Sequence, residues 1–202
     1  MVKKVQLFVY GSFCQGMVHF DRLAKYVMDS SPARARGSAY RMEVGYPVFI
    51  AEGINYIEGD LVTLEAPDMF FHLLDQFHGF SPVSPEKSLF WRTEVSVEKP
   101  DQTQVEAQAY TLNPAKLPKS AELISEGDWR QSIVEKPVIT EVLTKKQKEY
   151  IRKLGKSSAR DIIPINIDLY RELLNLRIVE DKGRRLGLTK FGKEVYKYLP
   201  AN

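Results

Sequence analysis

From residue 36 to residue 113 the chain is a run of short β-prone pieces, "GSAYRMEV", "PVFIAE", "IEGDLVTL", "LFWRTEVSVE" and "VEAQAYTLN", interrupted once by a helical pattern. Strands that follow one another without a helix between them cannot make the regular strand–helix alternation of a doubly wound parallel sheet, so the expected class is α+β. The helical interruption is "APDMFFHLLDQFHGF", with Pro67 and Asp68 placed at its start and Gly79 at its end. Proline costs nothing in a first turn, an acid there suits the dipole, and glycine accepts the left-handed cap. Ahead of these pieces, the apolar strand Val5 to Tyr10 breaks at Gly11. Phe20, Leu23, Ala24, Val27 and Met28 then recur at i, i+3, i+4, i+7 and i+8, which predicts a helix ended by the breaker Asp29-Ser30-Ser31-Pro32.

The last third has a different character. Residues 1–140 carry 14 Lys and Arg against 18 Asp and Glu, and residues 141–202 carry 15 against 8, so the net +3 conceals a basic tail. "LTKKQKEYIRKL" puts Leu143, Tyr150, Ile151 and Leu154 on one helical stripe, and "NIDLYRELLNL" does the same with Leu169, Tyr170, Leu173 and Leu174. "RIVEDKGRRLGLT" reads as a hairpin bent at Lys182-Gly183, and "LTKFGKEVYKYL" as a closing helix capped by Thr189. Two helices, a tight basic hairpin and a last helix resemble a winged-helix module. Two domains are therefore expected, 1–135 and 141–202, joined near "EKPVITE". Cys14 is the only cysteine, which excludes an internal disulfide, and no apolar run is long enough to span a membrane. A cytoplasmic protein with no membrane partner is expected.

Candidate chemistry begins at Tyr10-Gly11-Ser12-Phe13, where a strand enters a glycine turn and offers backbone N–H groups to an anion. Cys14 is close enough to act as a nucleophile, although a lone cysteine at a strand end is more often buried filler. His19 and His72 lack metal-ligand spacing, and Trp91 and Trp129 read as core. Glu43, Glu52, Glu58 and Glu65 are all placed to serve as an acid, and spacing does not choose among them. Lys145-Lys146 and Arg184-Arg185 fit phosphate contacts from a helix and a wing, against the blander reading of a solvated face.

"LFVYGSF", "GYPVF", "IEGDLVTL", "LLDQFHGF", "FWRTEVSV", "EAQAYTL" and "EGDWR" occur in that order. Together they resemble the gamma-glutamylcyclotransferase-like family over roughly residues 5–135. The resemblance implies a small, mixed, barrel-like sheet flanked by helices, with a ligand pocket at one end lined by the Tyr-Gly-Ser loop. It implies release of 5-oxoproline from gamma-glutamyl amines or peptides without a cofactor, as the substrate's α-amine attacks its own γ-carbonyl. Such a cyclisation asks for positioning, for N–H donors such as those of Gly11–Phe13, and for a general base.

The family's base is a glutamate in a Leu-Asp-x-x-Glu-Gly pattern, and here the pattern reads Leu74-Asp75-Gln76-Phe77-His78-Gly79. Histidine thus stands at the catalytic position. Imidazole is basic enough, with an unperturbed pKa of about 6.5, but it cannot attract an ammonium as a carboxylate does. Asp75, one turn earlier, is the candidate to hold the ring or to replace the charge. Two readings stay open: a cyclotransferase-like protein working on gamma-glutamyl compounds through His78, or a small-acid-binding regulator whose tail contacts nucleic acid or a protein.

Overall fold

The computed structural model describes residues 2–67, 69–158 and 161–200. Two compact units emerge, one made of residues up to Met42 and Tyr46–Glu135, the other of Glu43–Gly45 and residues from Lys136 onward.

In the first unit, β1 (Val2–Val9), β2 (Val27–Arg36), β5 (Tyr56–Pro67), β6 (Phe90–Glu98) and β7 (Gln104–Leu112) close a five-stranded barrel in the order β1-β5-β2-β6-β7. All pairings are antiparallel except β1 with β7, which is parallel through Leu7 and Gln108, so the sheet is mixed. A second sheet sets β3 (Ser38–Arg41) between β4 (Pro47–Ile50) and β8 (Glu122–Ile124). The class is α+β, as the interleaving of the pieces predicts.

Alternation along each barrel strand feeds two cores. Leu7, Val9, Val62, Leu64, Tyr110 and Leu112 pack with Phe70 and Leu74 of α2 (Met69–His78). Phe8, Ala33, Ala35, Ile57, Leu61, Val97, Ala107 and Ala109 point the other way and pack with Phe49. Four alanines on that side admit the close strand approach that a five-stranded closure requires.

Two expectations are corrected. The helix drawn through residues 20–28 shrinks to α1 (Asp21–Ala24), and Val27 begins β2. Met28, assigned to the buried helical face, is 64% exposed. The backbone of β2 has β5 beside it from Val27 to Arg36, and a continuous ladder outweighs five apolar points on a helical wheel. Pro32 survives within β2 because β6 pairs only with Arg34 and Ala35, which leaves the proline on an open edge. The second correction is at α2: Pro67 closes β5 instead of opening the helix, while Asp68 lies outside the described residues. Gly79, with φ +67°, ends α2 as its sequence position requires.

The first unit ends in α3 (Trp129–Glu135), and the second contains α4 (Ile139–Val142), α5 (Lys145–Lys156), α6 (Ile167–Asn175), a hairpin of β9 (Val179–Asp181) and β10 (Leu186–Leu188), and α7 (Lys190–Tyr198). Thr144 and Gln147 form a reciprocal capping box on α5, Asn166 caps α6, and Thr189 caps α7. Tyr150, Ile151 and Leu154 of α5 are buried with Leu173, Ile178 and Val195. On α6 the apolar face is narrower than the periodicity suggests: Leu173 is buried, Leu169 and Tyr170 are half-buried, and Leu174 is exposed. Among the described residues, no helix is long and apolar enough to cross a membrane.

Candidate functional site

The Tyr10-Gly11-Ser12-Phe13 segment leaves β1 as one turn of 3-10 helix, Gly11–Phe13, with all three residues buried. Only glycine fits at position 11. Its φ is +57°, and a β-carbon there would lie 2.3 Å from the Pro47 ring. "GYPVF" is thus the surface on which the loop is moulded. In such a turn the first N–H groups precede any partner within it. Phe13 N–H is used locally, donating to the Tyr10 carbonyl at 3.3 Å, and so are the amides of Cys14, to Gly11 (3.1 Å), and of Gln15, to Asp60 Oδ2 (2.8 Å). Of the three amides named from the sequence, that of Phe13 is thus spent within the turn. Tyr10 anchors the start of the turn by donating its hydroxyl to the Tyr110 carbonyl at 2.8 Å.

The loop and the end of α2 meet. The rings of Phe13 and His78 lie 5.2 Å apart, and His78 is also packed against Phe77 (5.1 Å) and Phe90 (5.4 Å). Its imidazole is stacked on Tyr110, 3.9 Å between centroids and 6° from parallel, and His78 is only 9% exposed. The Nδ1 atom is 2.9 Å from the Leu74 carbonyl. A carbonyl only accepts, so Nδ1 carries a proton and donates to it.

Asp75 is buried one turn before His78. Its Oδ1 accepts the Tyr110 hydroxyl at 2.6 Å and lies 3.5 Å from Arg92 Nε. Burial, reinforced by this bond to Asp75, pushes the Tyr110 phenol well above its ordinary range and keeps it a donor. Asp75 thus supports the imidazole through the stacked Tyr110 ring. The same carboxylate reaches a groove of about 670 Å³, whose wall includes Lys3, Phe71, His72, Phe80 and Arg92. Arg92 lies over the Phe71 ring at 4.5 Å.

Behind the loop is an acid that residue-type reasoning passes over. Asp60, from "IEGDLVTL", is 4% exposed; besides the Gln15 amide it takes an ion pair from Arg130 of "EGDWR" at 3.3 Å. The signal in the sequence is that both belong to ordered motifs without any assigned role. Cys14 is buried beside this pair, with Sγ 3.6 Å from the Val9 carbonyl. Burial pushes its thiol up to about 12, Asp60 adding to the effect and Arg130 opposing it. A thiol so strongly protonated is no nucleophile at neutral pH.

The remaining candidates scatter. Glu52, Glu58 and Glu65 are exposed, and Glu43 pairs with Arg177 in the second unit. His19 is buried against Phe13 and Phe77, and His72 is exposed at the groove. Trp129 is core, packed on Tyr46, whereas Trp91 is half-buried and donates Nε1 to the Pro85 carbonyl. Among the described residues, no group of His, Cys, Asp and Glu could hold a metal ion.

Several solved structures are similar, three of them as follows. YkqA from Bacillus subtilis is 27% identical, over 66% of this chain and 43% of that one, with a TM-score of 0.49. A protein from Arabidopsis thaliana is 21% identical over 82% and 94%, at 0.46. An AIG2-like protein from Mus musculus is 16% identical over 57% and 80%, at 0.43. This chain spans less than half of the Bacillus protein. No curated protein matches it. Residues 7–131 match the family described as gamma-glutamyl cyclotransferase, AIG2-like, a stretch that runs from β1 through the Gly11 turn and α2 into "EGDWR". The chain belongs to that family.

Proposed function

We propose that residues 1–135 form a domain that binds a gamma-glutamyl amine, a gamma-glutamyl peptide or a related small acid at Tyr10-Gly11-Ser12-Phe13. His78, at the family's base position, leaves this domain binding its ligand with slow turnover to 5-oxoproline. One observation carries the second half of the reading: among the described residues, the buried carboxylates of Asp60 and Asp75 are both committed. Asp75 is held by Tyr110 and Arg92, Asp60 by the Gln15 amide and Arg130, and position 78 carries an imidazole and no carboxylate. The substrate's ammonium meets no anion at the place where its proton must leave.

The binding half is tested by calorimetric titration of the full chain with a gamma-glutamyl amine and with 5-oxoproline. Binding is expected to be saturable and to weaken at least tenfold in Gly11→Ala. A β-carbon at position 11 would strain the backbone and push on Pro47, at a cost of about 2 kcal/mol in the geometry that presents the amides. Absence of binding by the unaltered protein removes the reading.

We also infer a winged-helix-like second domain over residues 141–202. It is supported by the order α5, α6, hairpin, α7 and by the tight turn at Gly183, whose φ is +84°.

A further inference from the structure

We propose that the outward faces of α5 and α7 together form a cationic surface that binds the phosphate backbone of double-stranded DNA without reading its sequence. The inference depends on the second unit alone and is independent of the ligand reading above.

Gln147, Tyr150, Ile151 and Leu154 are the buried positions of α5. At 100° per residue, Lys145, Lys148, Arg152 and Lys156 fall on the opposite side, a row about 16 Å long at 1.5 Å per residue. Lys146 and Lys153 flank it, and Glu149, the only acid of the helix, is exposed on the same outward side. Like charges three and four residues apart repel, so this row works against the helix that bears it. Among the described residues, none of the five lysines of α5 has an ion-pair partner, while elsewhere in the chain Arg34, Arg130 and Lys182 each hold a carboxylate. Six cations against one acid leave this helix with an excess of positive charge that a polyanion would compensate.

α7 extends the surface. Gly192 and Val195 are its buried positions, which puts Lys190, Lys193 and the half-buried Lys197 outward, with Glu194 as the one acid among them. The two helices touch closely at one end. A β-carbon on Gly155 would lie 2.5 Å from the Tyr196 ring, and Arg152 donates to the Pro200 carbonyl at 2.9 Å. Neighbouring packed helices lie about 8–10 Å apart, so the two rows make a strip rather than isolated points.

The partner follows from what the strip lacks. Membrane-surface helices set apolar residues beside their cations, and the outward positions of α5 carry none. Single-strand binders offer exposed aromatic platforms, whereas Tyr150 is buried and Tyr196 half-buried. A duplex needs only cations spaced along a backbone that bears a charge about every 1.7 Å. Nor is α6 the contact, since Asp168 and Glu172 outnumber its Arg171.

The test is fluorescence anisotropy of the full chain with a 20-base-pair duplex of arbitrary sequence between about 50 and 200 mM KCl. Affinity should be sequence-independent, with a log–log salt slope of about −4 to −6. Lys148→Gln and Lys193→Gln should each reduce the slope by about 0.9 and weaken binding severalfold, while Lys148→Arg keeps both. Lys193 is exposed and Lys148 half-buried, so unchanged thermal melting of each variant verifies the fold. The proposal is overturned by absence of binding at the lowest salt, by slopes that the lysine changes do not move, or by loss of binding in Arg184→Gln/Arg185→Gln alone. Preference for phosphatidylserine vesicles or an acidic polypeptide over the duplex overturns it equally.

Discussion

In an assay for released 5-oxoproline, His78→Glu is expected to exceed the unaltered protein by about 10²–10⁴-fold, the ordinary contribution of a positioned general base. The position is already prepared. Residue 78 is 9% exposed, faces Phe13 across 5.2 Å, and is sheltered by Tyr110 and Phe90. A carboxylate placed there loses solvation, which raises its pKa toward the range where it can accept a proton near neutral pH. It also supplies the negative charge that imidazole lacks, and so draws in the ammonium it must deprotonate. His78→Gln is the control, since it removes the imidazole without adding an anion, and no gain is expected from it. Should His78→Glu bind a gamma-glutamyl amine and still release no 5-oxoproline, histidine is not what limits the unaltered site.

The histidine at position 78 is legible in the sequence because it is a residue identity set in an ordered run of motifs. Its surroundings are not. Stacking on Tyr110 joins residues 32 apart in the chain, and the Asp75–Tyr110 bond joins residues 35 apart. No local periodicity encodes such pairs. The helices of the tail are legible because each carries its own cap and its own apolar stripe, as Thr144 and Asn166 illustrate. β2 misleads for the opposite reason. Its residues favour no structure strongly, and its conformation is dictated by β5, more than twenty residues downstream. Pro32 and the two serines before it look like a stop signal until the open edge is known. Glycines tell the same story at finer scale: Gly11 announces a bend, but only Pro47 explains why no side chain is tolerated there.

Cys14 yields the second large effect, in alkali. The thiol has an ordinary pKa of 9.0, and burial beside Asp60 pushes it up to about 12 in the folded chain. Above pH 9 the unfolded chain releases this proton while the folded chain keeps it, so ionisation favours unfolding. The stabilisation is complete below pH 9 and is lost as pH rises toward 12. At 1.36 kcal/mol per pH unit, three units amount to about 4 kcal/mol. Urea unfolding of the unaltered protein should therefore weaken between pH 9 and 12 by about that much more than unfolding of Cys14→Ala, which cannot ionise there. Tyr110 and the lysines titrate in both proteins and cancel in the comparison. Equal pH dependence in the two would mean that the thiol is solvated, and the loop that ends at Cys14 would then be open to water. The position matters because Cys14 N–H closes the Gly11 turn, through its bond to the Gly11 carbonyl. A dry, protonated thiol at this point keeps water from the back of the turn, where the Cys14 amide holds the Gly11 carbonyl.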